Sequence, residues 1–241
     1  EMKSVFNGTF LIFLFFLLLS SQSLGKKSKN QANLGASIRS GTINSSLITI
    51  DIKNEVNIDN TDWINTLYFE NGKTADIKTE GLVRISSEYR LRFKNPKYFG
   101  SVFTQGTHDI IRDVNYRIQL GPNIGYYLFE NDKLKIDISA GLNVTTEKVE
   151  KINTYTAYRF STRLNYRISG KSSVYSNIEL NGDVNNLEEN FNSLTVIGIK
   201  SGIYDTLSLF TEIRNDYDDK PTINNIDKNE LLLTIGFAYI F

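Results

Sequence analysis

Beyond residue 30 the chain alternates apolar and polar positions with a period of two. In LVRISSEYRLRF, residues 82–93, Val83, Ile85, Tyr89, Leu91 and Phe93 share one face, and Arg84, Ser86, Glu88, Arg90 and Arg92 share the other. A helix at period 3.6 would mix these sets around its surface, whereas a strand separates them. VNYRIQLGPNIGYYLF at 114–129, LKIDISAGLNV at 134–144 and YRFSTRLNYRI at 158–168 repeat the pattern. The pattern predicts strands over 32–40, 44–54, 61–71, 80–94, 98–108, 112–129, 133–147, 153–169, 172–183, 191–203, 205–217 and 229–241. That makes twelve, an even number as expected of a single-chain outer-membrane barrel. Most are longer than the usual 5 or 6 residues of a soluble sheet and long enough for a tilted bilayer crossing, which takes roughly 9 to 11.

Short turns at KNPK (94–97), ENDK (130–133) and SGKS (169–172) alternate with links at 71–79, 147–153, 183–191 and 217–229. An up-and-down antiparallel β-barrel, with both termini periplasmic and short turns at that end, accounts for this spacing. Alternation alone also fits a soluble secreted barrel or sandwich. Strand length and the terminal strand favour the membrane.

The N-terminus bears on the compartment. Lys3 precedes an unbroken apolar run from Phe10 to Leu19, and Ser23 and Gly25 follow at leader-peptidase spacing before Lys26, Lys27 and Lys29. Ten apolar residues suit a signal-peptide core and are half of a spanning helix. We expect a signal peptide over 1–25 and a barrel over 26–241, the alternative being an uncleaved anchor. The rest of the 241 residues contains no transmembrane helix candidate, so a spanning structure there must use strands.

Composition narrows the chemistry. The 27 basic and 27 acidic residues balance, which gives nucleic acid no reason to bind. The absence of cysteine excludes disulfides, a thiol nucleophile and cysteine-ligated zinc. Thirteen Tyr and 15 Phe at a mean hydropathy of −0.26 suit strands with one wet face.

The final LLLTIGFAYIF puts Leu231, Leu233, Ile235, Phe237, Tyr239 and Phe241 on one face. Phe237, Tyr239 and Phe241 look like the assembly signal that the barrel assembly machinery reads, and would join the interfacial aromatic girdle. The segment 208–241 resembles the end of the family named domain of unknown function 481, whose members include salt-stress-induced outer-membrane proteins. Tyr217, Asp218, Pro221 and Asp227 match its pattern, while Asp219 stands where many members carry a small residue. The Arg- and Gly-containing stretch at 112–129 is similar to its central strand, and LGASIRSG at 34–41 to its opening strand. The resemblance implies an outer-membrane barrel and no established chemistry.

On this phasing Arg84, Arg90, Arg92, Arg117, Arg159, Arg163 and Arg167 face the lumen, with Glu88, Asp137, Glu179 and Glu212 as counter-charges. An Arg facing lipid would cost roughly 2 to 4 kcal/mol at the midplane. Two roles follow: a barrel of structural or envelope-stress role with its lumen filled by paired charges, or a narrow anion-preferring channel. A third class is an outer-membrane lipid hydrolase. His108 is the only imidazole, and the nearest earlier serine is Ser101. Asp216, Asp218, Asp219 and Asp227 could hold calcium weakly, but lack the glycine and spaced glutamate of an EF-hand loop. We expect no enzyme, no cofactor and no metal, outer-membrane lipids as surroundings, and a monomer.

Overall fold

Every second residue of a strand points the same way, so a strand with apolar residues on one side and charged residues on the other must put lipid and lumen on opposite sides. The computed structural model describes residues 28–40, 45–73, 79–110, 112–186, 190–219 and 227–241. The expected signal peptide and Pro221 lie outside the described residues. The described strands are β1 (Ser28–Ser40), β2 (Ser45–Ile58), β3 (Thr61–Lys73), β4 (Thr79–Arg92), β5 (Tyr98–Asp109), β6 (Val114–Glu130), β7 (Leu134–Lys148), β8 (Ile152–Arg167), β9 (Ser172–Asp183), β10 (Asn192–Gly202), β11 (Leu207–Asp218) and β12 (Asn229–Ile240).

Each strand pairs antiparallel with its neighbours in sequence, and β12 pairs with β1, so the twelve form one closed up-and-down barrel. Closure leaves no strand edge unpaired, as a strand protein in lipid requires. Both described ends of the chain lie at one end of the barrel, where Gln31 sits opposite Ile240. We call this the terminal end and the other the far end.

The expected strands all appear, and the largest differences are at the start. β1 begins at Ser28 and β2 runs on to Ile58, with Ser28 opposite Val56. The segment SKNQ at 28–31 is polar on both faces, so it carries no alternation to read.

Side chains close the terminal-end turns. The Asn95 side-chain oxygen accepts the Lys97 amide at 3.1 Å, and that of Asn131 accepts the amides of Lys133 and Leu134 at 2.9 and 2.8 Å. Ser169 Oγ accepts the Ser172 amide at 3.1 Å. These are side-chain mimics of a backbone turn, the role that suits Asn and Ser there.

The outward face carries an apolar belt that includes Leu34, Ile38, Val102, Leu120, Ile124, Leu142 and Ile199, all exposed. Near the terminal end it gives way to exposed aromatics, among them Phe93, Tyr98, Phe129 and Tyr204. In β12, Phe237, Tyr239 and Phe241 are exposed on that outer side, and the last two rings stack at 5.9 Å. The inner face of β12 is small at the seam. Gly236 sits opposite Gly35, and a Cβ on Gly236 would meet the Leu34 carbonyl oxygen at 2.1 Å. Ser37 and Thr234 exchange a hydroxyl contact at 2.8 Å beside it. Closure brings these two backbones too close for a side chain.

Replacing Phe237, Tyr239 and Phe241 together with Ser is expected to block insertion while leaving the lumen untouched. Heat-modifiable gel mobility of outer-membrane fractions checks this. A normal folded band at wild-type abundance would remove the assembly role of these three residues.

Candidate functional site

The inner wall is polar and charged along its length. Buried Asn, Ser and Thr side chains alternate there with ion pairs, and many of the pairs reach between strands that are not neighbours.

Near the terminal end the pairs gather around Arg90 on β4, which is 1 % exposed. Its Nε lies 3.1 Å from Glu88 and its Nη2 2.9 Å from Asp137 on β7. Arg163 on β8 joins the same two carboxylates, at 2.8 Å to Glu88 and 3.3 Å to Asp137. Two arginines and two acids therefore balance within one network tying β4, β7 and β8. The Arg90 guanidinium also lies over the Phe99 ring, 4.2 Å from its centroid. That ring occupies the space where Gly125 has no side chain, since a Cβ there would stand 2.1 Å from it. Below this layer Arg92 bonds both Glu130 oxygens, at 2.7 and 2.9 Å, and Asp62 at 3.1 Å. Tyr127 donates its hydroxyl to Asp62 at 3.1 Å and accepts from Arg90 at 3.3 Å, which joins the two layers.

At the far end the ties cross the whole lumen. Arg84 on β4 reaches Asp216 on β11 at 3.0 Å, five strands away by the shorter way around the barrel. Arg112, in the turn before β6, grips the same carboxylate at 2.8 Å and the Asp216 carbonyl oxygen at 3.1 Å. Arg117 on β6 pairs with Glu147 at 2.7 Å and lies 3.6 Å from Asp218 on β11. Arg39 on β1 bonds Glu70 on β3 and lies 3.4 Å from Glu230 on β12. At mid-height Arg159 stacks on Phe103, 3.8 Å from the ring centroid, and approaches Glu179 at 3.4 Å. Tyr175 donates to Glu212 at 2.9 Å.

Charged pairs with such partners are held by charge-assisted hydrogen bonds in a setting that screens them poorly. A cavity of about 30 Å³ remains between Arg84, Arg112, Arg117, Gln105 and Asn181, and one of about 20 Å³ beside Arg39, Glu70 and Glu230. At roughly 10–15 Å³ for one water centre, the first has room for two or three waters and the second for one or two.

The structure thus brings Arg84, Glu88, Arg90, Arg92, Arg117, Asp137, Arg159, Arg163, Glu179 and Glu212 into the lumen network. Arg167 stands exposed at the end of β8, where its amide donates to the Lys133 carbonyl at 2.8 Å. Sequence reasoning missed Arg39, Asp62, Glu70, Arg112, Tyr127, Glu130, Glu147, Arg214, Asp216, Asp218 and Glu230. Most share the inward parity of their strands, which was the available signal. Arg112 lies in a turn, where alternation is silent. The candidate calcium cluster is divided: Asp216 and Asp218 bind lumen arginines, whereas Asp219 pairs with Lys228 at 2.7 Å. Among the described residues no group of three or more His, Cys, Asp or Glu could hold a metal ion.

His108 has odd-numbered neighbours facing inward, Ser101, Phe103 and Asp109, so it faces outward, and its Nδ1 lies 2.8 Å from the Asn115 carbonyl oxygen. Ser101 is buried on the inner face seven positions earlier. At about 3.3 Å per residue, on the other side of the wall, these two cannot form a nucleophile–base pair.

The family profile described as "Protein of unknown function, DUF481" matches residues 32–241. No curated protein sequence matches the chain. By fold the chain is similar to the NanC porin, with 12% identity over 86% of this chain and 98% of that one and a TM-score of 0.58. It is also similar to the translocator domain of the autotransporter NalP from Neisseria meningitidis, with 10% identity over 98% and 97% and a TM-score of 0.51. An outer-membrane channel from Pseudomonas putida F1 aligns at 9% identity over 89% and 94%, with a TM-score of 0.50. Such identities show a shared fold, and every one of these folds is an outer-membrane barrel.

Replacing Arg90 with Met would leave Glu88 and Asp137 with one arginine between them. Removing one partner of a buried pair typically costs about 3–5 kcal/mol. We expect a loss of that size in urea titration of the lipid-refolded barrel. Lys228→Gln, on an exposed pair, is expected to unfold at the same urea concentration as wild type.

Proposed function

Because this chain belongs to the family described as protein of unknown function DUF481, whose description names no activity, we propose from the lumen itself that the barrel is a closed, structural component of the outer membrane. The observation that carries this reading is the set of ion pairs across the lumen, above all Arg84 and Arg112 on Asp216 and Arg163 on Glu88. A path for solutes would have to break pairs that tie opposite walls together. An envelope-stress role fits a wall braced in this way. In this reading the chain is processed at its signal peptide and delivered to the barrel assembly machinery through its last strand. It stands as a monomer among lipids, because it closes its own edge, with its termini toward the periplasm.

A narrow channel is the second reading, and one observation sets its sign. The seven inward arginines expected from sequence suggested a preference for anions. Among the described residues the lumen network holds nine arginines (Arg39, Arg84, Arg90, Arg92, Arg112, Arg117, Arg159, Arg163 and Arg214) against eleven acids (Asp62, Glu70, Glu88, Glu130, Asp137, Glu147, Glu179, Glu212, Asp216, Asp218 and Glu230), a small acidic excess. Any path opened by fluctuation of these walls has a field that favours cations. A hydrolase reading has no support from the Ser101 and His108 positions.

Planar-bilayer recording of the refolded mature chain tests both readings. We expect no steps, or rare small ones with a reversal potential shifted toward the cation value in a salt gradient. A steady large conductance would contradict the closed lumen, and anion preference would contradict the sign. Purified protein is expected to leave phospholipid and lipid A unchanged, and His108→Ala to behave as wild type.

A further inference from the structure

The far-end cavity differs from the rest of the lumen in what it leaves unpaired. Arg84 and Arg112 share one carboxylate, Asp216. The Nε and Nη1 of Arg84 and the Nε of Arg112 are buried and have no hydrogen-bond partner within the protein. Arg112 as a whole is only 7 % exposed. Both guanidiniums line the cavity of about 30 Å³, together with the amides of Gln105, Gln119 and Asn181. Of the acids there besides Asp216, Glu179 is engaged by Arg159 and Asn177, and Asp109 accepts the Arg112 amide. Buried guanidinium donors without acceptors are unfavourable, by the full desolvation of each group. Water can supply acceptor oxygens there, but only an anion also supplies the negative charge that two guanidiniums sharing one carboxylate lack. A cation would bring neither.

We infer that this cavity is a binding site for a small oxyanion of the phosphate type, held by Arg84 and Arg112. Three orphan donors face a tetrahedral anion with several acceptor oxygens, and arginine is suited to phosphate by its fork of donors. One further atom discriminates among oxyanions. Asn181 Oδ1, on β9 at the cavity, is a buried acceptor without a partner in the protein. Hydrogenphosphate carries an O–H that can donate to it, whereas acetate does not. The site lies beside Arg112 and Asp113 at the far end, so a phosphate can arrive as a free solute or as the headgroup of a lipid. The inference concerns a local site and holds whether the barrel conducts or is closed.

The test is isothermal titration of the detergent-refolded full barrel with inorganic phosphate, acetate and dihexanoyl phosphatidate, each against chloride at equal ionic strength. Saturable heat with phosphate exceeding that with acetate is expected. Heat with inorganic phosphate identifies a free solute as the ligand source, and heat with the phosphatidate alone identifies a headgroup. Losing one charge-assisted contact weakens binding by about tenfold or more, so Arg112→Gln is expected to raise Kd by that factor. Arg84→Gln, on β4, tests the same site should Arg112→Gln fail to show a folded band by heat-modifiable mobility. Asp216→Asn, which frees both guanidiniums, is expected to tighten phosphate binding by about tenfold. No saturable heat with any of the three probes, or unchanged affinity in both folded arginine variants, overturns the site. Weaker binding in Asp216→Asn would overturn the assignment of Arg84 and Arg112 as the ligands.

Discussion

An arginine on a membrane-crossing strand has two directions available, and the lipid side costs roughly 2–4 kcal/mol at the midplane. The residues 84, 90, 92, 117, 159 and 163 are all arginine on the inward parity of their strands, and the rest of the lumen is arranged to receive them. A guanidinium removed from water needs acceptors. In a barrel of twelve strands the opposite wall is near enough to supply them, and it does so through Asp216 and Asp218 on β11 and Asp137 on β7. The same pairs that neutralise the charges therefore also brace the wall and fill the lumen.

Aromatic rings and glycines complete this packing. Phe99, Phe103 and Tyr68 put flat faces against Arg90, Arg159 and Arg214 at 4.2, 3.8 and 3.7 Å from the ring centroids. Such contacts stabilise a desolvated guanidinium by a further 2 kcal/mol or so. They need space at strand positions that would otherwise carry a side chain, which Gly125 provides for Phe99. On the outside single apolar residues stand exposed to the bilayer. The wall thus separates two solvents by parity alone.

The barrel was legible because its constraint is local. Period two, strand length and the terminal aromatics survive in any order of reading, and the turns announce themselves at Asn95, Asn131 and Ser169. The strand end at 28–31 was less legible, because SKNQ is polar on both faces; EVNI at 55–58 keeps the alternation, with Val56 and Ile58 on one face. The network was half legible. Parity names the inward arginines on β4, β6 and β8. It cannot say that Arg84 meets Asp216, because residues 132 positions apart are joined by the closure of the sheet. Asp216 and Asp218 read as part of a candidate calcium cluster at the end of the expected strand 205–217, whereas β11 runs through Asp218 and turns both side chains to the lumen arginines. The balance of charge moved for the same reason: parity named Glu179 on β9 and Glu212 on β11 as counter-charges, but not Asp62 and Glu70 on β3, Asp216 and Asp218 on β11 or Glu230 on β12.

The account stands or falls on whether the lumen is closed by its own side chains. The chain has no cysteine, so a single one can be placed without background. Ser139 lies on the inner face of β7 and is 3 % exposed, which makes Ser139→Cys a reporter of water and solute access at mid-lumen. Labelling by a small charged methanethiosulfonate reagent, on the folded barrel in lipid vesicles, is expected to take hours and to become immediate in urea. Complete labelling of the folded barrel within seconds, matching a Cys on the exposed far rim, would contradict a closed lumen.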